Sequence, residues 1–196
     1  MRELADLPNS GRACDACLMV NVLIDPASLK DCRAVAQIHV DAWRAAYSGI
    51  LSDEFLAALS VDQREIMWQE AVTRGSPVVV VARVDGVITG WVAFGSSRDE
   101  GAPAYRGEVW AIYVAPAAWS LGVGRKLLMA ALRALAQHGY REASLWVMRD
   151  NSRAVRFYSR AGMTEDPASE KYFELGGHRV KEVRYFTQLS LQMLEA

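Results

Sequence analysis

The sequence has almost no net charge and no long apolar run. Lysine and arginine total 22 against 23 aspartate and glutamate residues, which leaves a formal net charge of −1. Because phosphate backbones demand a clear cationic excess, this balance predicts no nucleic-acid partner. No segment approaches the ~20 apolar residues of a membrane helix, so we expect no membrane association. The first seventeen residues are charged and lack an apolar stretch, which predicts no secretory signal.

Cysteine is also scarce, at three residues. Cys14 and Cys17 form one C-x-x-C pair, but a structural zinc site needs four ligands and no second pair follows. We therefore expect no metal. Free thiols in a chain without a disulfide framework fit a reducing compartment, so the expected location is cytoplasmic.

Apolar residues, in contrast, are abundant. They make up 52% of the 196 residues, enough for one compact domain to fold without disulfides. We place this single domain at residues 19–196. Residues 1–18 include Pro8, Asn9, Ser10 and Gly11, which predict a flexible N-terminal extension.

Hydrophobic periodicity divides the domain into helices and strands. Asp85-Gly86 between two β-branched runs predicts a two-residue hairpin turn, and Ser28 and Ser60 are predicted helix N-caps. Because hairpins occur together with helices, the pattern predicts a mixed α/β sheet and not an all-parallel one. The predicted strands are residues 19–24, 78–84, 87–94, 108–115, 143–148, 170–175 and 179–189; the predicted helices are residues 28–47, 52–59, 60–72, 122–138 and 151–161.

The segment most informative about function runs from Glu108 to Leu128. A strand leads into a loop with two glycines, Gly122 and Gly124, and a helix follows at once. Helix N-termini present unpaired N–H groups and the positive end of the dipole, so they bind phosphate. A dinucleotide fingerprint would need glycine where Leu127 stands, and a P-loop would need a hydroxyl residue there, so both are excluded.

Cations are concentrated around this turn. Between Ser120 and Arg160 there are eight lysines or arginines and only two acids, Glu142 and Asp150. A basic region on a neutral chain suits a small polyanionic ligand, although such arginines are also typical of solvated helix faces.

Two segments resemble motifs of the GNAT superfamily of N-acetyltransferases. Residues 114–124, VAPAAWSLGVG, resemble V-x-P followed by [RQ]-x-x-G-x-[GA], and residues 151–163, NSRAVRFYSRAGM, resemble N-x-x-A-x-x-[FL]-Y-x-[KR]-x-G-F. The likeness extends over residues 19–190. Trp119 departs from the usual Arg or Gln, which would remove one side-chain contact with phosphate. Met163 departs from Phe, a mild core exchange.

The resemblance implies a GNAT-like acyl-CoA N-acyltransferase fold, with a central, mixed and mostly antiparallel sheet flanked by helices. It also implies acetyl-CoA, or a related acyl-CoA, bound where two neighbouring strands splay apart. The pantetheine arm would pair like an extra strand with Ile112, Tyr113 and Val114. The pyrophosphate would meet the amides of the glycine turn, which consists of Leu121, Gly122, Val123, Gly124, Arg125 and Lys126.

Acetyl transfer to an amine needs a base for the amine proton, a donor for the oxyanion and an acid for the thiolate. Glu108, expected at the start of its strand, is the candidate base, and the alternative is a solvated strand-end glutamate. Tyr158 is the candidate acid, and the alternative is an aromatic core residue. Asn151 is expected to cap its helix and to contact the cofactor. The N–H of Val114 is the candidate oxyanion donor.

The sequence says least about the acceptor substrate. Trp43, Tyr47, Trp110 and Trp146 are candidates for its pocket, with a core role as the alternative for each. If the acceptor site lies within residues 1–70, the acidic excess of that segment would favour a cationic amine. The sequence leaves open a small-molecule or peptide amine, a protein N-terminus or lysine, and an acyl-CoA sensor without turnover. It also leaves open a homodimer.

Overall fold

The structure is a computed structural model that describes residues 21–190. The expected extension over residues 1–18, with its Cys14 and Cys17 pair, lies outside the described residues. None of the described helices is long and apolar enough to cross a membrane.

The described chain forms seven strands and five α-helices, with two short 3₁₀ turns at Leu29–Asp31 and Pro116–Ala118. In chain order the elements are β1 (Val22–Pro26), α1 (Cys32–Ala46), α2 (Asp53–Ala57), α3 (Val61–Arg74), β2 (Val78–Val84), β3 (Val87–Ser96), β4 (Arg106–Val114), α4 (Val123–Gln137), β5 (Glu142–Met148), α5 (Ser152–Arg160), β6 (Thr164–Leu175) and β7 (His178–Gln188).

All seven strands belong to one sheet, in the order β1-β2-β3-β4-β5-β7-β6. Every neighbouring pair is antiparallel except β4 and β5, which are parallel because α4 connects them as a crossover helix. The prediction of a mixed, mostly antiparallel sheet flanked by helices is therefore confirmed.

Side-chain alternation along the central strands builds a core on each face of the sheet. On one face, Val92 and Phe94 of β3 pack against Leu127 and Leu128 of α4. On the other face, Trp91 and Ala93 of β3 pack with residues of α1 and α3, among them Val35 and Trp68. Because successive strand residues point to opposite faces, one strand supplies both cores.

Local sequence signals locate most element ends. Asp85 and Gly86 have positive φ angles of 49° and 80° and form the predicted turn between β2 and β3. The Ser52 and Ser60 side chains accept hydrogen bonds from the N–H groups of Phe55 and Gln63, so both serines cap helices. Ser28 instead opens the 3₁₀ turn, and α1 begins only at Cys32.

Two strands differ from their predicted bounds. β4 begins at Arg106, so Glu108 lies inside the strand and not at its start. β6 begins at Thr164, six residues before the predicted start, and a register shift between Glu165 and Glu170 interrupts its pairing with β7. The irregular stretch hides the period-2 pattern by which a strand is predicted from sequence.

Candidate active site

The centre of the sheet contains a gap between β4 and β5. The two strands pair only from Arg106 to Glu108, opposite Glu142 to Ser144, and they separate beyond that point. On its other side β4 stays paired with β3, and Ala115 N–H donates to Thr89 at 2.8 Å. Because backbone groups alternate in direction along an antiparallel strand, the polar groups of Ile112 and Val114 point into the gap. An extended ligand can pair with them there, but not with Tyr113 as expected from the resemblance, because the backbone groups of Tyr113 point to β3.

The N-terminus of α4 lies at the same cleft. Its N-cap is Gly122, which has a φ of 79° and supplies no side-chain cap, and its first turn contains no acidic residue. The first-turn N–H groups thus keep the capacity to bind an anion. Lys126 N–H donates to Gly122 oxygen at 3.1 Å. Contrary to the sequence-based expectation, the Lys126 amide is therefore not free for a ligand.

Trp119 has a structural role beside this turn. Its indole N–H donates to the Val114 carbonyl at 2.8 Å, and the guanidinium of Arg153 lies 3.8 Å from the centre of its ring. Arg153 comes from α5, and it lines the cleft together with Trp119. A positive charge is therefore present near the turn although the residue at position 119 has none.

Helix α5 brings Asn151 and Tyr158 to the cleft. The Asn151 side chain accepts from Ala154 N–H at 3.1 Å, so it caps α5 as predicted. Tyr158 is only 8% exposed, yet no side-chain or backbone group of residues 21–190 forms a hydrogen bond with its hydroxyl. Burial first, and then the neighbouring Tyr47, raise the pKa of Tyr158 well above its ordinary value. The hydroxyl thus stays protonated and free to donate.

An aromatic wall formed by α1 and β4 continues the cleft beyond Tyr158. Tyr47 contacts Trp43 edge-on with ring centres 5.0 Å apart, and Tyr113 stacks on His39 at 5.1 Å. Burial, with Arg64 acting in the same direction, lowers the pKa of His39 to about 3. His39 is therefore neutral at physiological pH and forms part of an apolar wall.

Glu108 lies at the point where β4 and β5 separate, and it is 1% exposed. Its Oε2 accepts from the backbone N–H of Arg98 at 2.7 Å, and its Oε1 accepts from Arg98 Nε at 3.0 Å and from Arg98 Nη2. The alternative of a solvated strand-end glutamate is thus wrong. Three of the about four acceptor positions of a carboxylate are already used.

The comparisons with known proteins agree on one family. The model of the acetyltransferase (GNAT) family matches residues 33–163. The chain belongs to the GNAT family of acetyltransferases. It is 33% identical over 162 residues to the uncharacterised N-acetyltransferase YuaI of Bacillus subtilis (strain 168), which covers 83% of this chain and 90% of that protein.

Two solved structures share the fold. The PaiA N-acetyltransferase of Thermoplasma acidophilum, in complex with coenzyme A, has a TM-score of 0.67 at 20% identity and covers 83% of this chain and 98% of that one. YncA of Salmonella typhimurium, with its cofactor acetyl-CoA, has a TM-score of 0.67 at 24% identity and covers 87% of this chain and 95% of that one. These likenesses establish the GNAT fold predicted from the two motifs.

The GNAT cleft has a volume of about 1230 Å³ and brings together most of the residues expected from sequence. Leu121, Val123 and Lys126 do not line it: Leu121 is exposed, Val123 is fully buried in the core and Lys126 lies outside. The expected residues that line it are Trp43, Tyr47, Glu108, Trp110, Ile112, Tyr113, Val114, Gly122, Gly124, Arg125, Trp146, Asn151 and Tyr158.

Trp110 and Trp146, the other two tryptophans expected in the acceptor pocket, contact charged side chains in this GNAT cleft. The Trp146 N–H donates to Asp99 at 3.0 Å, and Lys171 lies 3.8 Å from the centre of its ring. The guanidinium of Arg98 lies 4.7 Å from the centre of the Trp110 ring. Both tryptophans are therefore partly structural.

Sequence reasoning missed several residues of the cleft. Arg98 and Asp99 lie in a loop that the sequence describes only as polar, and Lys171 and Glu182 lie on strands far from both motifs. Arg153 gave a weak signal as one of the clustered cations. Among residues 21–190, no three His, Cys, Asp or Glu side chains are grouped as a metal site requires.

Proposed function

We propose that the protein transfers an acetyl group from acetyl-CoA to a primary amine of a small molecule or peptide, by direct attack in a ternary complex. The observation that carries this proposal is the open edge of β4, which ends beside the uncapped N-terminus of α4 in the cleft that also contains the free Tyr158 hydroxyl. At about 1230 Å³ the cleft exceeds the about 300–1,000 Å³ of common ligand pockets, so it has room for two reactants.

The chain's own groups fit such a cosubstrate, which supplies an acetyl thioester as the activated acyl donor. The first-turn amides of α4 would bind the pyrophosphate, each charge-assisted bond contributing about 1.5–3 kcal/mol. Arg125 and Arg153 line the cleft at this end and add positive charge. The backbone N–H and C=O of Ile112 would pair with the extended arm. The Val114 carbonyl is already occupied by Trp119, which leaves only the N–H of Val114 open to a ligand.

Tyr158 is proposed to protonate the departing thiolate. Its raised pKa ensures that a proton is present, although it also makes complete transfer to a thiolate of ordinary basicity unfavourable. The same burial would raise the pKa of a thiol leaving in this cleft, which brings it closer to the pKa of Tyr158. The Tyr158 hydroxyl would therefore stabilise the developing sulfur charge by a hydrogen bond and transfer its proton to the sulfur as the C–S bond breaks.

Glu108 remains the proposed base, and Val114 N–H the proposed oxyanion donor. Because Arg98 occupies three acceptor positions of Glu108, the carboxylate has about one lone pair left, on Oε2. We therefore propose that Glu108 acts through that position, with a water molecule relaying the amine proton.

The alternative functions differ in a measurable way. A sensor would bind acetyl-CoA without turnover, whereas an enzyme that modifies proteins would accept a folded or peptide acceptor and leave small amines unchanged. The free Tyr158 hydroxyl favours turnover, since ligand binding alone does not require an acid at that position.

Thermal unfolding with and without acetyl-CoA, together with turnover over a panel of small amines and peptides, tests the proposal. Acetyl-CoA should raise the melting temperature by mass action. Gly122→Glu should abolish this rise because a carboxylate would face the pyrophosphate. Gly122→Ala is the matched control, since a side chain at a φ of 79° is strained in both variants but only one adds charge. Equal rises in wild type and Gly122→Glu would remove the turn from the binding site.

A further inference from the structure

The cleft contains four carboxylates, and they differ in how their charge is compensated. Glu70, on α3, is exposed to solvent. Asp99 accepts from Lys171 at 2.6 Å, from Arg184 at 3.0 Å and from the Trp146 indole. Glu108, as described above, is held by Arg98. These three charges are either solvated or paired.

Glu182 is the exception. It lies on β7 and is half-buried in the wall of the cleft. Within residues 21–190, no group forms a hydrogen bond or an ion pair with its carboxylate. Its cross-strand neighbour on β6 is Lys171, but the ammonium of Lys171 is bound to Asp99 and lies over the Trp146 ring. Glu182 is thus a partly desolvated carboxylate that no cationic side chain of residues 21–190 contacts directly as an ion pair.

The charged surroundings of Glu182 are few. Burial raises the pKa of its carboxyl above the ordinary value, and the negative charge of Glu108 acts in the same direction. The positive charges of Lys171 and Arg98 act in the opposite direction. The arginines of α4 and α5 that line the other end of the cleft are not among the groups that act on it. A cation placed beside Glu182 would therefore form a direct ion pair, which no side chain of residues 21–190 forms with it.

The position of Glu182 also connects it with the proposed site of reaction. It pairs with Met148 across β5 and β7, and Met148 packs with Tyr47 and Val180 in one cluster. Burial and, more weakly, the charge of Glu182 raise the pKa of Tyr47, while the polar groups of Tyr113 and Asn151 beside it act in the opposite direction. Tyr47 in turn acts on the pKa of Tyr158. Glu182 therefore lies in the part of the cleft near Tyr47, a residue expected from the sequence in the acceptor pocket.

We propose that Glu182 binds the positively charged ammonium group of the acceptor, so that the substrates of this site are cationic alkylamines. This inference rests on the function proposed above and adds the class of acceptor. Glu182 selects and positions the amine before the reaction, whereas Glu108 and Tyr158 are assigned to the proton transfers. The mutation of Glu182 should therefore affect KM more than kcat.

The test compares charged and uncharged ligands in wild type and Glu182→Gln. The charged ligand is a primary alkylamine that wild type acetylates, and its KM is measured. The uncharged ligand is the alcohol of the same carbon chain, whose Ki is measured as a competitive inhibitor. Glu182→Gln should raise the KM of the amine by about 10–100-fold, because a charge-assisted hydrogen bond is lost, and leave the Ki of the alcohol unchanged.

Glu174→Gln is the matched control because it removes the same charge from an exposed position on β6 outside the cleft. The KM of this variant for the amine should equal that of wild type. Acetyl-CoA binding should be the same in all three proteins. Glu182→Gln should not lower the melting temperature, since Glu182 has no hydrogen bond or ion pair to lose and burial disfavours its charge. An unchanged amine KM in Glu182→Gln, or a wild type that prefers neutral or anionic acceptors, overturns the role of Glu182 alone. A wild type that binds acetyl-CoA but acetylates no amine overturns the proposed function and this inference with it.

Discussion

Replacing Tyr158 by phenylalanine separates a catalytic hydroxyl from a structural one. The substitution removes one oxygen and keeps the ring, so the contacts with Phe157 at 5.1 Å and Tyr185 at 6.3 Å between ring centres remain. Because the hydroxyl has no hydrogen-bond partner among residues 21–190, its loss breaks no interaction within them. We expect the free energy of unfolding to change by less than about 0.5 kcal/mol, which corresponds to less than about 2 °C in Tm for a chain of this size.

The effect on turnover should be much larger. A general acid contributes about 10²–10⁴-fold, equivalent to about 3–5 kcal/mol of activation free energy. Steady-state kinetics of Tyr158→Phe should show a fall of this order in kcat, while the Kd for acetyl-CoA, measured by calorimetry, changes little.

Tyr185→Phe provides the matched control with the opposite pattern. Its hydroxyl donates to Glu165 at 3.2 Å, and the residue does not line the cleft. Losing this bond should lower the free energy of unfolding by about 1 kcal/mol, or about 2–4 °C in Tm, and leave kcat unchanged. A kcat for Tyr158→Phe equal to that of wild type would refute the reasoning and assign protonation of the leaving group to water.

Three further predictions follow from single residues. Glu108→Gln should lower kcat mainly at low pH, where the amine is most protonated, and an unchanged pH–rate profile would exclude Glu108 as the base. Ser60→Ala should lower the free energy of unfolding by about 1 kcal/mol in urea denaturation, because α3 loses its cap. Burial opposes the charge of Asp99, but Lys171, Arg184 and Trp146 hold its pKa below the ordinary value. Asp99→Asn should therefore lower the free energy of unfolding at pH 7 by about 2 kcal/mol. The difference between the variant and wild type, measured by denaturation, should disappear as the pH falls below about 4 and through the lowered pKa of Asp99.

The sequence alone determined the features that depend on neighbouring residues. The Asp85-Gly86 turn follows from the positive φ angles that such a hairpin requires. The N-terminus of α4 follows from glycine at position 122, because this residue must adopt a left-handed conformation and leave the first-turn amides uncovered. Asn151 caps α5 by a hydrogen bond with the N–H of Ala154, only three positions further along the chain. In each case the interaction is local, so the residue types in a short window are sufficient.

Only the tertiary structure decided how charge is distributed in the cleft. Arg98 binds Glu108, ten positions away in the chain, and Arg184 binds Asp99, 85 positions away. Lys171 binds Asp99 and not Glu182, although Glu182 is its neighbour in the sheet. Which carboxylate is paired and which is left without a counterion depends on distances between strands that are remote in the chain. No periodicity or motif encodes those distances, because they are set by the packing of the whole sheet. The two GNAT motifs therefore predicted where acyl-CoA is expected to bind, whereas the carboxylate on which the proposed acceptor site depends could be recognised only in the folded molecule.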